Sequence, residues 1–481
     1  MDDFRTWSTY AFRISRAHIF LRSNLDMNLA LIVLAAGQGT RMKSGLPKVL
    51  HQVAGAPLVS HAIRSADGLD VAKRIVVVGH GSEQVEASLA GDFPDAQVVL
   101  QAERLGTAHA VDQAKSALAG FDGDAIVLYG DTPFIKPDTL HNMLAARETG
   151  ADVVILGFDA AAPGKYGRLI VEDDRLRRIV EAKDASKDEL AVTLCNSGVV
   201  CADAKTLFAL ISQVGNQNAS GEYYLTDIVE IANDGGKTCV AVTCDEAETL
   251  GINSRPELAQ AEAIFQNAAR QNAMIEGATL QAPETVYFSH DTQLGKDVIV
   301  EPNVVFGIGV TVEDGANIRA FSHFEDCVIR NGATVGPYAR IRPGSDVGEG
   351  ARIGNFVETK KAIISKGAKV NHLSYVGDAF VGESANIGAG TVTCNYDGVL
   401  KHQTNIGAGA FIGTNSALVA PVSIGDGAMT AAGSVITVDV PADALAVARA
   451  PQKNREGFVP RLVQKLKATK AKRDAEKRTE G

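Results

Sequence analysis

Aliphatic residues recur at every sixth position through much of the C-terminal half of this 481-residue chain. Leu294, Val300, Phe306, Val312, Ile318 and Phe324 keep strict phase. The phase slips and resumes at Val335, Ile341, Val347 and Ile353, at Ile364, Val370 and Val376, and at Val381 and Ile387, then returns at Ile406, Ile412, Leu418, Ile424, Thr430 and Ile436. A period of six specifies a β-helix, in which each short strand turns one aliphatic side chain inward and stacked coils share a continuous core. A chance run of alternating strands does not hold phase over so many units. The interruptions, above all CNYDGVLKHQTN, predict loops thrown out from the coil, and loops on a rigid scaffold often carry function.

The rhythm before residue 255 is different. Short apolar runs (LALIVLAAG from Leu29, RIVVVGH from Arg74, AQVVLQ from Ala96, AIVLYGD from Ala125, ADVVILGF from Ala151) alternate with longer helix-like segments. Fully apolar strands separated by helices imply a parallel sheet covered on both faces, with ligands bound beyond the carboxyl ends of the strands. Ser254 and Glu257 have capping-box spacing, and Leu258, Ala261, Ile264, Phe265 and Ala268 follow at helical spacing. The expected order is an extension over 1–26, an α/β domain over 27–254, a linker helix over 255–274, a β-helix over 275–458 and a basic tail over 459–481. Residues 1–26 carry four arginines but no signal-peptide core, and the first strand-like run follows Met27. The simplest account is a dispensable extension, with Met27 the working initiator.

A formal net charge of −10 argues against generic nucleic-acid binding, so phosphate should be held at local sites. Six cysteines without a CxxC pair read as reduced thiols of a cytoplasmic protein, and no stretch approaches the length of a membrane span. The tail, with Lys465, Lys467, Lys470, Lys472 and Arg473, reads as a solvated helix or frayed end rather than a nucleic-acid patch.

The first strand runs into Gly37-Gln38-Gly39-Thr40-Arg41-Met42, followed by Pro47-Lys48. The glycines let the backbone turn and present N–H groups to a phosphate chain, whose charge Arg41 and Lys48 can neutralise. The pattern is neither a P-loop nor a dinucleotide fingerprint, because Met42 stands where a third glycine would be needed. Asp131 ends an apolar strand, where a carboxylate can hold Mg²⁺. YGRL from Tyr166, Glu181, NSG from Asn196 and GIN from Gly251 add polar groups suited to a sugar and a second metal contact. Within the repeats, IRPG, GNFVETKK, NHLSYVGD, NIGAG and TCNYDG break the plain pattern with polar or basic residues.

LAAGQGTRMKSGLPK, QAERLGTAHA and LYGDTPF, in that order, resemble the sugar-phosphate nucleotidyltransferases. With the C-terminal motifs added, residues 28–458 resemble the bacterial bifunctional N-acetylglucosamine-1-phosphate uridylyltransferase and glucosamine-1-phosphate N-acetyltransferase family. The resemblance implies a Rossmann-like α/β nucleotidyltransferase domain joined by a helix to a left-handed parallel β-helix. The latter would acetylate glucosamine 1-phosphate from acetyl-CoA. The former would join the product to UTP, giving UDP-N-acetylglucosamine for peptidoglycan and lipopolysaccharide synthesis.

By the same resemblance, Leu34, Ala35, Ala36, Gly37, Arg41, Lys48, Gln101, Gly106, Thr107, Tyr129, Gly130 and Asp131 would contact the nucleotide. Gly167, Glu181 and Asn196 would hold the amino sugar, with Asp131 and Asn253 on Mg²⁺. His372 would be the general base, since an imidazole accepts a proton near neutral pH, and Glu358 would orient it. Arg342, Lys360, Tyr375 and Asn386 would bind the sugar phosphate, while Ala389, Asn395, Tyr396, Thr414, Ala432 and Arg449 would line the acetyl-CoA site. Thr414 stands where the family more often has Ser, and Gln38 where a basic residue is frequent. A homotrimer is implied, with His372 and Arg449 serving one site from different subunits.

Two other readings fit parts of the chain: nucleotidyl transfer alone with an allosteric or assembly β-helix, or a β-helix that is purely structural. His372, Lys360 and Arg342 cluster in the non-repeating positions, where neither reading needs them.

Overall fold

The computed structural model describes residues 28–79 and 81–479; the extension over 1–26 and Met27 lie outside the described residues. The chain divides into two compact units between Phe265 and Gln266.

The first unit is built on one sheet. Its strands are β1 (Leu29–Ala35), β2 (Val71–Val78), β3 (Ala96–Leu100), β4 (Asp124–Tyr129), β5 (Val153–Asp159), β6 (Arg168–Glu172), β7 (Arg175–Val180), β8 (Leu194–Asp203) and β9 (Cys239–Cys244). Their order is β9-β5-β8-β4-β1-β2-β3, with β6 pairing β8 and β7. Alternate residues of β1 feed opposite layers: Ala30, Ile32 and Leu34 pack into one apolar cluster, Leu29, Leu31, Val33 and Ala35 into another. This is the alternation expected of a strand covered on both faces. The sheet is not wholly parallel. β8 runs antiparallel to β4 and β5, and β6 and β7 form an antiparallel ribbon beside it. The Asn196-Ser197-Gly198 break, where the β8 register shifts, hides this strand from an apolar-run reading.

β1 lies between β2 and β4, both parallel to it, so the carboxyl ends of β1 and β4 open on one crevice. The helix Arg255–Ile275 buries Ala261 against Val53, Leu58 and Ile252. Its expected capping box is only half made. Glu257 N–H reaches Ser254 Oγ at 3.5 Å, but the Glu257 carboxylate accepts from Asn253 N–H at 2.6 Å instead of from the cap residue. The carboxylate is drawn one residue further out because the chain before the cap turns back to Asp131.

The second unit is the left-handed parallel β-helix that the six-residue period demands. Three interior ladders run along it. One stacks Leu280, Val300, Ile318, Val335, Ile353, Val370, Ile387 and Ile412, and a second stacks Leu294, Val312, Ile329, Val347, Ile364, Val381, Ile406 and Ile424. The third runs Phe306, Phe324, Ile341, Thr359, Val376 and on through Thr393 to Leu418 and Ile436. Most of these side chains are fully buried, and truncating one such isoleucine to alanine costs about 2–5 kcal/mol.

The phase slips have a structural cause. From Phe324 to Ile329, Thr359 to Ile364 and Val376 to Val381 the inward positions are five residues apart, so one side of the coil is shortened. Interior Thr359 and Thr393 complete the third ladder. Their hydroxyls bond Ser345 Oγ (3.1 Å) and Gly377 N–H (2.8 Å), which makes a buried hydroxyl tolerable there. The tail forms the helix Phe458–Thr479, solvent-exposed at every residue through Glu476. Among the described residues no helix is long and apolar enough to cross a membrane.

Candidate active sites

In the first unit a cleft of about 300 Å³ opens at the carboxyl ends of β1 and β4. Leu34, Ala36, Gly37, Lys48, Gln101, Gly106, Thr107, Tyr129 and Asp131, all expected from the sequence, line it. The short 3₁₀ turn Lys48–Leu50 brings the lysine under the glycine-rich loop. Lys48 Nζ donates to Asp131 Oδ2 and, at 3.1 Å, to Asn253 Oδ1. Two hard oxygen donors therefore converge on a single cationic point. This is the donor chemistry that suits Mg²⁺, which takes one or two protein oxygens and leaves its other positions to water and phosphate.

Gly106 adopts φ +123°, and a Cβ there would lie 2.6 Å from Tyr223 N and closer still to Tyr223 O, so the position admits only glycine. The close approach seats Gln101, which is almost fully buried; its Nε2 donates to Gly106 O at 3.2 Å and lies 3.0 Å from His109 Nδ1. Thr107 Oγ1 accepts from Leu225 N–H at 2.9 Å and meets the Tyr129 phenol, whose ionisation burial pushes above its ordinary range. Ala35 and Gly130 form the packed floor, with Gly130 N–H on Leu34 O at 2.9 Å. Arg41 projects into solvent with no ion pair among the described residues.

Gly167, Glu181 and Asn196 adjoin one another: Asn196 N–H donates to Gly167 O at 2.9 Å, and a Cβ on Gly167 would lie 3.5 Å from Glu181 Oε1. Burial raises the Glu181 carboxyl, with a Thr226 hydrogen bond opposing it. Asp227, beside it, is pushed up to about 6 by burial first and then by Glu230, Glu181 and Asp184. Arg104 and Glu222 also line the cleft and were not singled out from the sequence. Arg104 lies inside the QAERLGTAHA motif, whereas the segment around Glu222 carries no periodicity or motif to mark it.

In the second unit, one edge of the β-helix gathers most of the remaining expected residues. Backbone bonds climb it rung by rung: Leu373 N–H to Asn355 O, Gly390 N–H to His372 O, Asn415 N–H to Ala389 O and Gly433 N–H to Thr414 O. The Arg449 guanidinium then bonds Ala432 O at 2.9 Å. Asn355, His372, Ala389, Thr414, Ala432 and Arg449 thus stand on successive rungs. With about 4.8 Å per rung, His372 and Arg449 lie roughly 19 Å apart along the edge.

His372 is exposed, and its Nδ1 lies 2.8 Å from Asn355 Oδ1. Glu358, expected to orient His372, and Asn355 stand on different sides of the coil. Asn355 and His372 are register partners in neighbouring coils, whereas Glu358 is stacked on Arg340 and Tyr375 beyond the corner and pairs with Arg342 at 2.7 Å. Asn355 was within reach of sequence reasoning: it lies in the GNFVETKK motif, seventeen positions before His372, one coil length here.

Arg342, Glu358, Lys360 and Tyr375 share the flank after this edge, with Lys360 paired to Gly377. A Cβ at Gly377 would come within 2.6 Å of Tyr375 Cζ, so the hydroxyl end of the phenol lies against the glycine that is the register partner of Lys360. Asn386 occupies the other flank, in the sheet that carries Lys369 and Phe411. Asn395 is buried and its amide bonds Asp378; Tyr396 is exposed, with Lys401 Nζ 4.1 Å from its ring centroid. The loop beyond is braced by Asp397, whose carboxyl the His402 hydrogen bond holds well below the usual range, and by its bonds to Leu400 and Val399 N–H. All six cysteines are free thiols, and burial pushes Cys239 and Cys327 up to about 12.

The MobA-like NTP transferase domain family matches residues 31–216, and the bacterial transferase hexapeptide family matches residues 326–361 and 403–437. "Bifunctional protein GlmU" of Jannaschia sp. (strain CCS1) is 59% identical over 92% of this chain and 97% of its own length. The protein of the same name from Ruegeria pomeroyi is 60% identical over 94% of this chain and 100% of its own. Among solved structures, the inositol-1-phosphate CTP transferase from T. maritima aligns with a TM-score of 0.40 and 20% identity, over 50% of this chain and 96% of that one.

Proposed function

This chain belongs to the bifunctional GlmU family, and from that premise we propose how its residues carry two successive reactions. It is a bifunctional transferase, with a nucleotidyltransferase domain followed by a hexapeptide-repeat acyltransferase domain. It acetylates glucosamine 1-phosphate from acetyl-CoA and then converts the product and UTP to UDP-N-acetylglucosamine and pyrophosphate, for cell-wall and lipopolysaccharide synthesis.

At the β-helix edge, Asn355 Oδ1 accepts the Nδ1–H of His372, which leaves the lone pair on Nε2. The amine of glucosamine 1-phosphate attacks the thioester carbonyl of acetyl-CoA while Nε2 takes its proton. A C–N bond forms, the C–S bond breaks, and the coenzyme leaves as its thiolate to be reprotonated. Arg342 and Lys360 hold the sugar's phosphate. Tyr375 packs on the sugar, with Asn386 a further contact. Ala389, Thr414, Ala432 and Arg449, with Asn395 and Tyr396 of the loop, receive the coenzyme along the stair above His372.

In the α/β cleft, Gln101, Gly106, Thr107 and Tyr129 seat the uridine. The backbone from Leu34 to Gly37, with Lys48 and Arg41, faces the phosphates. Gly167, Glu181 and Asn196 take the N-acetylglucosamine. Its phosphate attacks the α-phosphorus of UTP, and pyrophosphate leaves with the β- and γ-phosphates. Asp131 and Asn253 would hold Mg²⁺, which when bound neutralises phosphate charge. Six free thiols fit a reducing compartment, the cytoplasm.

The working assembly is a homotrimer. The edge bearing His372 leaves Tyr338, Phe356 and Leu373 about half exposed or more, apolar surface that neighbouring copies around a three-fold axis would cover.

What carries the two-reaction reading is the presence, in separate units, of a Lys48–Asp131–Asn253 cluster in a cleft and an Asn355-supported histidine on an exposed edge. Purified protein should release free thiol from acetyl-CoA only when glucosamine 1-phosphate is present, and pyrophosphate once UTP is added. Pyrophosphate release from supplied N-acetylglucosamine 1-phosphate without thiol release from the amino sugar would leave nucleotidyl transfer alone.

A further inference from the structure

The segment that delivers Asn253 to the cleft is tied on both sides. Ile252 donates its N–H to Asp131 O at 2.9 Å, and Asn253 donates its own N–H to Glu257 Oε2 at 2.6 Å. The side-chain amide is also oriented. Its Nδ2 donates to Gly251 O at 3.3 Å, which leaves Oδ1 to face Lys48 Nζ at 3.1 Å. Glu257 sits half-buried in the first turn of the helix Arg255–Ile275, where the helix dipole favours a carboxylate. A carboxylate accepting a backbone N–H is also a short, strong bond. In a completed capping box this carboxylate would close back on Ser254 N–H. Here it reaches past the cap to the residue whose side chain enters the cleft.

We propose that Glu257 is a positioning residue of the nucleotidyl site: by clamping the Asn253 backbone it fixes Asn253 Oδ1 beside Asp131, and so sets the affinity of the site for a divalent cation. This rests on the reading above that Asp131 and Asn253 hold the metal. Glu257 touches neither the substrates nor the cation. It acts as outer partners of metal ligands do, whose removal commonly weakens metal affinity 10–100-fold.

The test compares Glu257→Ala, Glu257→Gln, Asn253→Ala and the double variant Glu257→Ala/Asn253→Ala. Mn²⁺ binding to each protein with UTP present is read by water-proton relaxation, beside the half-saturating Mg²⁺ concentration for uridylyl transfer and the melting temperature without ligands. Glu257→Ala should weaken Mn²⁺ binding and raise the Mg²⁺ requirement about tenfold or more. Glu257→Gln, whose amide oxygen still accepts from Asn253 N–H, should recover most of that loss. The double variant should be no worse than Asn253→Ala. If Glu257 served only the helix, Glu257→Ala would lower the melting temperature and leave both metal readouts at wild type; with Asn253→Ala still impaired, that result overturns this inference alone. Wild-type metal readouts in Asn253→Ala would overturn the metal assignment and the inference together.

Discussion

Asn355 and His372 face each other from neighbouring coils, 2.8 Å apart through Oδ1 and Nδ1, at equivalent positions of the parallel ladder. Because the coil repeats beneath His372, the scaffold itself supplies an oxygen that can orient the imidazole of the proposed base and select its tautomer. Asn355→Ala should therefore lower kcat for acetyl transfer by roughly 10–100-fold, a part of what a general base contributes. The KM for acetyl-CoA and the uridylyl activity should stay near wild type. Steady-state kinetics of both reactions check this, and an unchanged acetyltransferase kcat would remove Asn355 from the account.

Gly377 gives the Tyr375 phenol its place. Gly377→Ala leaves the interior ladders alone but forces the ring off its seat against the register partner of Lys360. The KM for glucosamine 1-phosphate should rise several-fold while the melting temperature changes little. Unaltered KM, with circular dichroism showing an intact fold, would mean that the ring does not touch the sugar.

Asp227 carries a pH dependence of stability. Its ordinary value is 3.8, and burial with its acidic neighbours raises it to about 6 in the folded protein. Between those values the folded chain holds a proton that the unfolded chain has released, so stability falls as pH rises through that window and levels off above it. Glu181, also raised, acts in the same direction. Asp227→Asn should melt at a higher temperature than wild type at pH 8, with a smaller difference at pH 5. Equal differences at both pH values would contradict the shift.

The β-helix was legible because its period is rigid: Val300, Ile318, Val335 and Ile353 occupy one ladder, as their spacing required. Thr359 and Thr393 were not legible as interior positions, because a polar residue at a five-residue side, or at the mouth of the CNYDGVLKHQTN insertion, resembles a lapse in the pattern. The apolar runs marked β1, β2 and β4, but β8 was hidden by its Asn196-Ser197-Gly198 interruption. Sequence likewise set the residues of the cleft beside one another by motif, whereas the roles of Glu257 and Asn355 depend on where a turn and a coil return. Motif resemblance places Glu358 near His372 but carries no sign of its ion pair with Arg342, which depends on how adjacent coils stack.

The single-chain edge puts His372 and Arg449 four rungs apart, so their sharing of one site between subunits is open to direct trial. Co-expressed His372→Ala and Arg449→Ala chains, each nearly inactive alone, should recover part of the acetyltransferase activity. Some interfaces of mixed trimers would receive neither defect. No recovery in trimers shown to be mixed would mean that one chain supplies both residues.

The most direct test of two independent sites is to assay both reactions on the same preparations of Asp131→Asn and His372→Ala, each shown folded by circular dichroism. Asp131→Asn keeps the side chain's shape but removes the charge that pairs with Lys48 and would hold the metal. Uridylyl transfer should fall on the order of a hundredfold or more while thiol release from acetyl-CoA continues at the wild-type rate. His372→Ala should do the reverse, losing acetyl transfer by about 10²–10⁴-fold and keeping uridylyl transfer. Loss of both activities in either folded variant would contradict the account.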